Sequence, residues 1–243
     1  ENYRPPQLGP QPCDWGYHGG RKNSPHRRYD GAGYNPVLDE PEVAERFYTM
    51  VAEIVGKYAA DPRIVAWDLF NEPGNGNRYL VAMISFPHLQ RIFDVARSMN
   101  PSQPLTTGGW RGSVQNWKPV EKLALELSDV ISYHCYGDYE ANILMISNLR
   151  EFGRPLFNTE WLNRICHNNV AEAFPLFFLE KVSCWNWGFV AGLSQTYEPY
   201  ESMWKQYEEN PALPFDFTKW MHDLFRPSLH PYDPKEIEII RKY

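Results

Sequence analysis

Residues 64–73 read Ile-Val-Ala-Trp-Asp-Leu-Phe-Asn-Glu-Pro. A short apolar run ends abruptly in Asn71, Glu72 and Pro73. Such a run predicts a strand covered on both faces. Its polar end predicts a strand whose C-terminal edge carries chemistry. The same design returns at 155–161, Pro-Leu-Phe-Asn-Thr-Glu-Trp, which ends on Glu160 and Trp161. Further strands are predicted at 105–109 and 129–136, and a fifth starts at 184. The first of these runs into Trp110-Arg111, and the second closes on His134-Cys135-Tyr136. Helical spacing fills the intervals at 89–98, 119–127, 142–151 and 170–181. Alternating strands and helices imply βαβ units and a parallel sheet. A doubly wound sheet gathers its polar strand ends near one switch point, whereas a barrel repeats them on successive strands. The repetition predicts the α/β class and a (β/α)8 barrel.

The flanks differ in character. Residues 1–38 are rich in Gly, Pro, Asn and Arg, with Trp15, Tyr17, Tyr29 and Tyr34 among them. A structureless stretch of that length is usually functional or disordered, and the interleaved aromatics favour a functional surface. A helix follows, with Asp39 as cap, Glu42 at the capping-box position and Pro41 in the first turn. Its expected apolar stripe is Val43, Phe47, Met50, Ile54 and Tyr58, and Asp61-Pro62 stops it. Closing helices are expected at 217–225 and 234–241, the second with Asp233 as cap and Pro234 at N1. The chain is read as one domain, with 1–38 as an active-site loop and 39–243 as βα units.

Of the 243 residues, 43% are hydrophobic and 22% charged, a balance that argues against disorder. The net charge is −6 and there is no Lys/Arg block, so nucleic acid and anionic membranes are not expected as partners. No apolar stretch approaches the roughly 20 residues that span a bilayer. Cys13, Cys135, Cys166 and Cys184 form no CxxC pair, and disulfides are neither required nor excluded. Residues 1–6, Glu-Asn-Tyr-Arg-Pro-Pro, show neither a basic nor an apolar leader region. His18, His26 and His88 have no HxH or HExxH spacing, so no metal is expected. No cofactor is expected either: Gly74-Asn-Gly76 lacks the P-loop Lys-Ser/Thr, and GxSxG is absent. Nothing in the sequence sets an oligomeric state.

Two carboxylates carry the functional argument. Glu72 and Glu160 end equivalent strands three apart, which in a closed barrel faces them across the mouth. Cleaving a glycosidic bond needs such a pair: one acid protonates the leaving oxygen, and the other carboxylate attacks or activates water. Either Glu alone could equally be a strand-end carboxylate in a surface salt bridge. The pair, beside amides and aromatics, favours catalysis.

Trp67-Asp-Leu-Phe-Asn-Glu-Pro-Gly74 resembles the strand-four signature of retaining β-glycosidases of the large (β/α)8 clan that includes cellulases and β-mannanases, of the glycoside hydrolase family 5 type. The resemblance runs from about residue 61 to 196. It implies that Glu72 is the acid/base and Glu160 the nucleophile. Asn71 would bond the sugar hydroxyl beside the anomeric carbon, and Tyr136 would donate its phenol to Glu160. His134 would orient the site or contact substrate. Trp187 matches the strand-eight aromatic at the sugar-binding floor, and Trp110 and Trp15 offer stacking surfaces. Each has a plainer alternative: a loop-bonding Asn71, a satisfied core His134, a barrel-packing Tyr136, a core-filling Trp187. Strand alternation puts Cys135 on the face opposite His134 and Tyr136, in the core. The resemblance, and no segment of the chain, points to a secreted or periplasmic location and to a carbohydrate substrate.

A family barrel has eight strands, and five are predicted, matching strands four to eight. The family's Arg near strand two and His near strand three have no counterpart. The expectation is a barrel incomplete at its N-terminus, with about 100 further residues at about 30 per βα unit. The alternatives are a non-catalytic carbohydrate-binding barrel, an inactive fragment, and an unrelated hydrolase or isomerase on the same fold.

Overall fold

The computed structural model describes residues 40–75, 79–109, 111, 114–192 and 194–243. The 1–38 loop with Trp15, and Trp110, lie outside the described residues. Seven α-helices and five strands are found among them: α1 (Pro41–Lys57), β1 (Trp67–Asp68), α2 (Tyr79–Ser98), β2 (Leu105–Thr106), α3 (Pro119–Leu127), β3 (Ile131–His134), α4 (Tyr139–Arg150), β4 (Leu156–Trp161), α5 (Val170–Leu179), β5 (Ser183–Asn186), α6 (Glu201–Glu209) and α7 (Pro234–Lys242). β1 pairs in parallel with β2, Trp67 opposite Leu105 and Asp68 opposite Thr106. Gly109 then bridges in parallel to Tyr133 of β3. β3, β4 and β5 follow in that order. Each strand therefore lies beside its predecessor in the chain, the order of a (β/α)8 barrel rather than of a doubly wound sheet.

The strands are shorter than their apolar runs. β1 keeps only Trp67 and Asp68 of the run from 64 to 70, although Leu69 still donates to Thr106 O at 2.9 Å. The chain divides into two compact units. Among the described residues the first holds 40–134 and 148–157, and the second 135–147 and 158–243. No helix among the described residues is long and apolar enough to cross a membrane.

In the first unit α1 packs on α2, and α2 on α3. The core joins Ala44, Tyr48, Val51 and Val55 of α1 to Leu69, Leu89, Phe93, Leu105 and Val120. This buried stripe is offset by one residue from the predicted one. Met50 and Ile54 are 45% and 42% exposed. The helix carries two adjacent apolar stripes, and tertiary contact selects one. The cap differs too: Glu40 is the N-cap, with no side-chain hydrogen bond, and Pro41 opens the first turn. Asp39 lies outside the described residues. α2 begins at Tyr79, ten residues before the predicted start, with Pro87 inside it.

In the second unit Trp161 is buried beside Phe174 (6.2 Å between rings, stacked) and Phe177 (5.1 Å, edge-on) of α5. Ile165, Met203 and Met221 form a further core. The helix predicted at 217–225 is absent: that segment is irregular. Its aromatics are drawn to separate partners, Phe217 stacking on Trp204 (4.4 Å) and Trp220 on Tyr232 (5.0 Å). α6 was not predicted, because Met203 is its one buried apolar anchor among polar residues. α7 starts where expected, with Asp233 accepting from the Lys235 N–H.

A buried ion pair ties α7 to the turn after β4. Arg164 Nε and Nη2 donate to the two oxygens of Glu236 at 2.7 and 2.6 Å, and the guanidinium lies 4.6 Å from the Tyr232 ring centre. Removing one partner strands a buried charge, at a cost of about 3–5 kcal/mol. Urea unfolding of Arg164→Ala is expected to show that loss. A paired Arg164→Met, Glu236→Leu variant is expected to recover most of it.

Candidate active site

Glu72 lies just beyond β1 with φ 45°, in the left-handed region that side chains larger than glycine rarely adopt. A residue held there costs about 1–3 kcal/mol, so its surroundings must compensate. Asn75 closes the turn by donating its N–H to Glu72 O at 2.9 Å, and its Nδ2 donates to Glu72 Oε2. His134 Nδ1 meets Glu72 Oε1 at 2.6 Å. His134 ends β3, is buried, and donates its backbone N–H to Gly109 O at 2.7 Å. The ring lies over Gly108, where a Cβ would come within 2.7 Å of Nε2. Only glycine leaves room for the imidazole there. Asp68 stands on the solvent-facing side of β1 but is crowded by protein atoms. That crowding raises its carboxyl to about 6, against the pull of His134 and a hydrogen bond from Ser132.

Glu160 is buried in β4, and its carbonyl accepts the Cys135 N–H at 3.0 Å. Tyr136 Oη donates to Glu160 Oε2 at 2.7 Å. The loop carrying Tyr136 is anchored by asparagines. Asn142 Nδ2 donates to Gly137 O and Asp138 O, both at 2.9 Å, and Asn168 Nδ2 to Gly137 O at 2.6 Å. Strand alternation turns Trp161 away from Glu160 and into α5.

The structure thus brings Glu72 together with His134, and Glu160 together with Tyr136. Asn71 is exposed. Trp187 is half-buried just past β5, its backbone N–H donating to the Trp161 carbonyl at 3.0 Å. Cys135 is buried and burial pushes its thiol up to about 11, so it is an inert core residue. Asn75, Gly108 and Asn168 escaped sequence reasoning. The nearest signal was the position of Asn75, one residue beyond the Trp67–Gly74 motif.

These features give a parallel α/β fold with the strand order of part of a (β/α)8 barrel, and solved structures share the fold. The chain is similar to the Ruminococcus gnavus β-glucuronidase (16% identity, TM-score 0.54, 83% of this chain and 36% of that one). It is similar to a GH10 endoxylanase from a sugarcane soil metagenome (12%, TM-score 0.53, 88% and 73%). It also resembles xylanase 10B of Thermotoga petrophila RKU-1, solved with xylobiose (17%, TM-score 0.52, 84% and 67%). The chain spans about a third of the length of the first and roughly two thirds to three quarters of the xylanases. No curated protein matches it. The family model for cellulase, glycosyl hydrolase family 5, matches residues 24–188, and the chain belongs to that family.

Proposed function

We propose that the chain acts as a single glycoside hydrolase domain that cleaves β-glycosidic bonds of an oligosaccharide or polysaccharide with retention. Glu160 attacks the anomeric carbon as the bond to the leaving oxygen breaks, and Glu72 gives that oxygen its proton. Glu72 then takes a proton from water as the water oxygen attacks the same carbon and Glu160 departs. The observation that carries this reading is that each glutamate is held by a side-chain partner of its own: His134 Nδ1 lies 2.6 Å from Glu72 Oε1, and Tyr136 Oη donates to Glu160 Oε2 at 2.7 Å. Paired, oriented carboxylates are what cleavage of a glycosidic bond needs. Membership of a cellulase family supports a β-linked glycan as substrate, and Asn71, Trp187, Trp110 and Trp15 are the candidate sugar contacts. Hydrolysis of a panel of chromogenic β-glycosides, with Glu160→Ala as control, tests the proposal. Binding without turnover would favour a carbohydrate-binding barrel.

The Gly108 contact gives a second test. Gly108→Ala drives a methyl group into His134 Nε2. A misplacement of about 1 Å costs on the order of 10²-fold in rate. The variant is expected to lose that much in kcat with a circular dichroism spectrum like wild type. Unchanged kcat would remove His134 from the proposal.

A further inference from the structure

Two residues beyond Glu160, Leu162 is fully buried with φ 79°, a conformation unfavourable for a branched side chain. The backbone is clamped on both sides. The Leu162 N–H donates to Asn168 Oδ1 at 2.6 Å, and the Asn163 N–H reaches the same oxygen at 3.2 Å. The Leu162 carbonyl accepts from His222 Nδ1. A carbonyl only accepts, so the proton of this imidazole sits on Nδ1, and Nε2 accepts from Tyr200 Oη at 3.1 Å. The ring is wholly buried, with Tyr136 on one side (5.4 Å) and Tyr200 nearby (5.7 Å). Burial, helped by the Arg164 charge, pushes its pKa down to about 3 and keeps it neutral. The backbone of the preceding residue is held as well. Met221 donates to Tyr197 O at 2.8 Å and accepts from Arg164 N–H at 3.1 Å. Gly188 approaches so closely that a Cβ there would lie 2.9 Å from His222 Cβ.

We propose that His222 is a positioning residue for Glu160: it locks the turn that follows the glutamate and backs the Tyr136 ring whose phenol holds the carboxylate. His222 works through Leu162 and Tyr136 rather than on substrate. No motif marks it, because it lies far along the chain from the residues it serves. The proposal rests on the reading of Glu160 as nucleophile.

The test separates the two ring nitrogens in the full chain. His222→Asn keeps a donor where Nδ1 sits, whereas His222→Gln places its amide near Nε2 and loses the bond to Leu162. His222→Gln is expected to lower kcat about 10- to 100-fold, with KM within about twofold, a loss in the range of a positioning contact. Its acid limb of kcat/KM is expected to move up in pH, because a loosened Tyr136 stabilises the Glu160 anion less. His222→Asn is expected to restore both. If His222→Gln does not fold, Tyr200→Phe, which removes one hydroxyl, is expected to move the limb the same way by less. An unmoved limb in the folded variant overturns the proposal. Trapping of wild type with an activated 2-deoxy-2-fluoro-β-glycoside, read by mass spectrometry, checks the reading beneath it. A label on Glu160 upholds that reading, and a label elsewhere or none overturns it whatever His222 does.

Discussion

Glu160→Ala is expected to lower kcat on an aryl β-glycoside by about 10³-fold or more, because both displacements pass through this carboxylate. The loss should be alike for good and poor leaving groups, since the nucleophile is needed in either case. Glu160 lies in a strand, bonded through its carbonyl to Cys135, and the side chain is held by Tyr136. Truncation leaves those backbone bonds in place, so the melting temperature should change little. Azide, small enough to enter the vacated space, should restore turnover by attacking the face Glu160 used, and the product would be an α-glycosyl azide. Full activity in Glu160→Ala would remove it from the mechanism.

Glu72→Ala is expected to cost about 10²- to 10⁴-fold on substrates with poor leaving groups, the range for a general acid. A dinitrophenolate leaves without a proton, so the first step on such a glycoside should be nearly spared. The second step still lacks its base, and the glycosyl-enzyme should accumulate as a burst of released phenol. Azide should then capture that intermediate from the face water uses and yield a β-glycosyl azide. The opposite anomers expected from the two variants assign the two roles independently. A loss in Glu72→Ala that ignored the leaving group would assign this residue to substrate positioning instead.

How much of this was legible depended on whether the signal was local. The apolar runs ending in Asn71-Glu72 and Thr159-Glu160 located the strand ends, because a buried parallel strand needs apolar side chains on both faces. The strand lengths were not legible: pairing depends on neighbours, and β1 keeps two residues of a longer run. The α1 stripe was misplaced by one residue because the helix is apolar over more than one face, and only packing against Leu89 and Phe93 selects Tyr48 over Phe47. The segment 217–225 mimicked a helix because Phe217, Trp220, Met221 and Leu224 fall at helical intervals, whereas Phe217 and Trp220 stack on Trp204 and Tyr232 and Phe225 bridges to Val190. In the site, His134 and Tyr136 were picked out by the family resemblance with strand alternation as support, although β3 ends at His134 and Tyr136 lies on the loop beyond it. Gly108, Asn168 and His222 were not. Their parts arise from a missing Cβ under His134, an amide oxygen shared by two backbone N–H groups, and a carbonyl at a left-handed residue. None of these has a sequence pattern of its own.

Double displacement by this pair of glutamates leaves its mark on the anomeric configuration of the first product. Proton NMR during early hydrolysis of a β-glycoside by the wild-type chain is expected to show the β-anomeric signal first, with the α signal growing only by mutarotation. The α anomer appearing first would contradict the account, since it would mean one displacement by water and no covalent bond to Glu160.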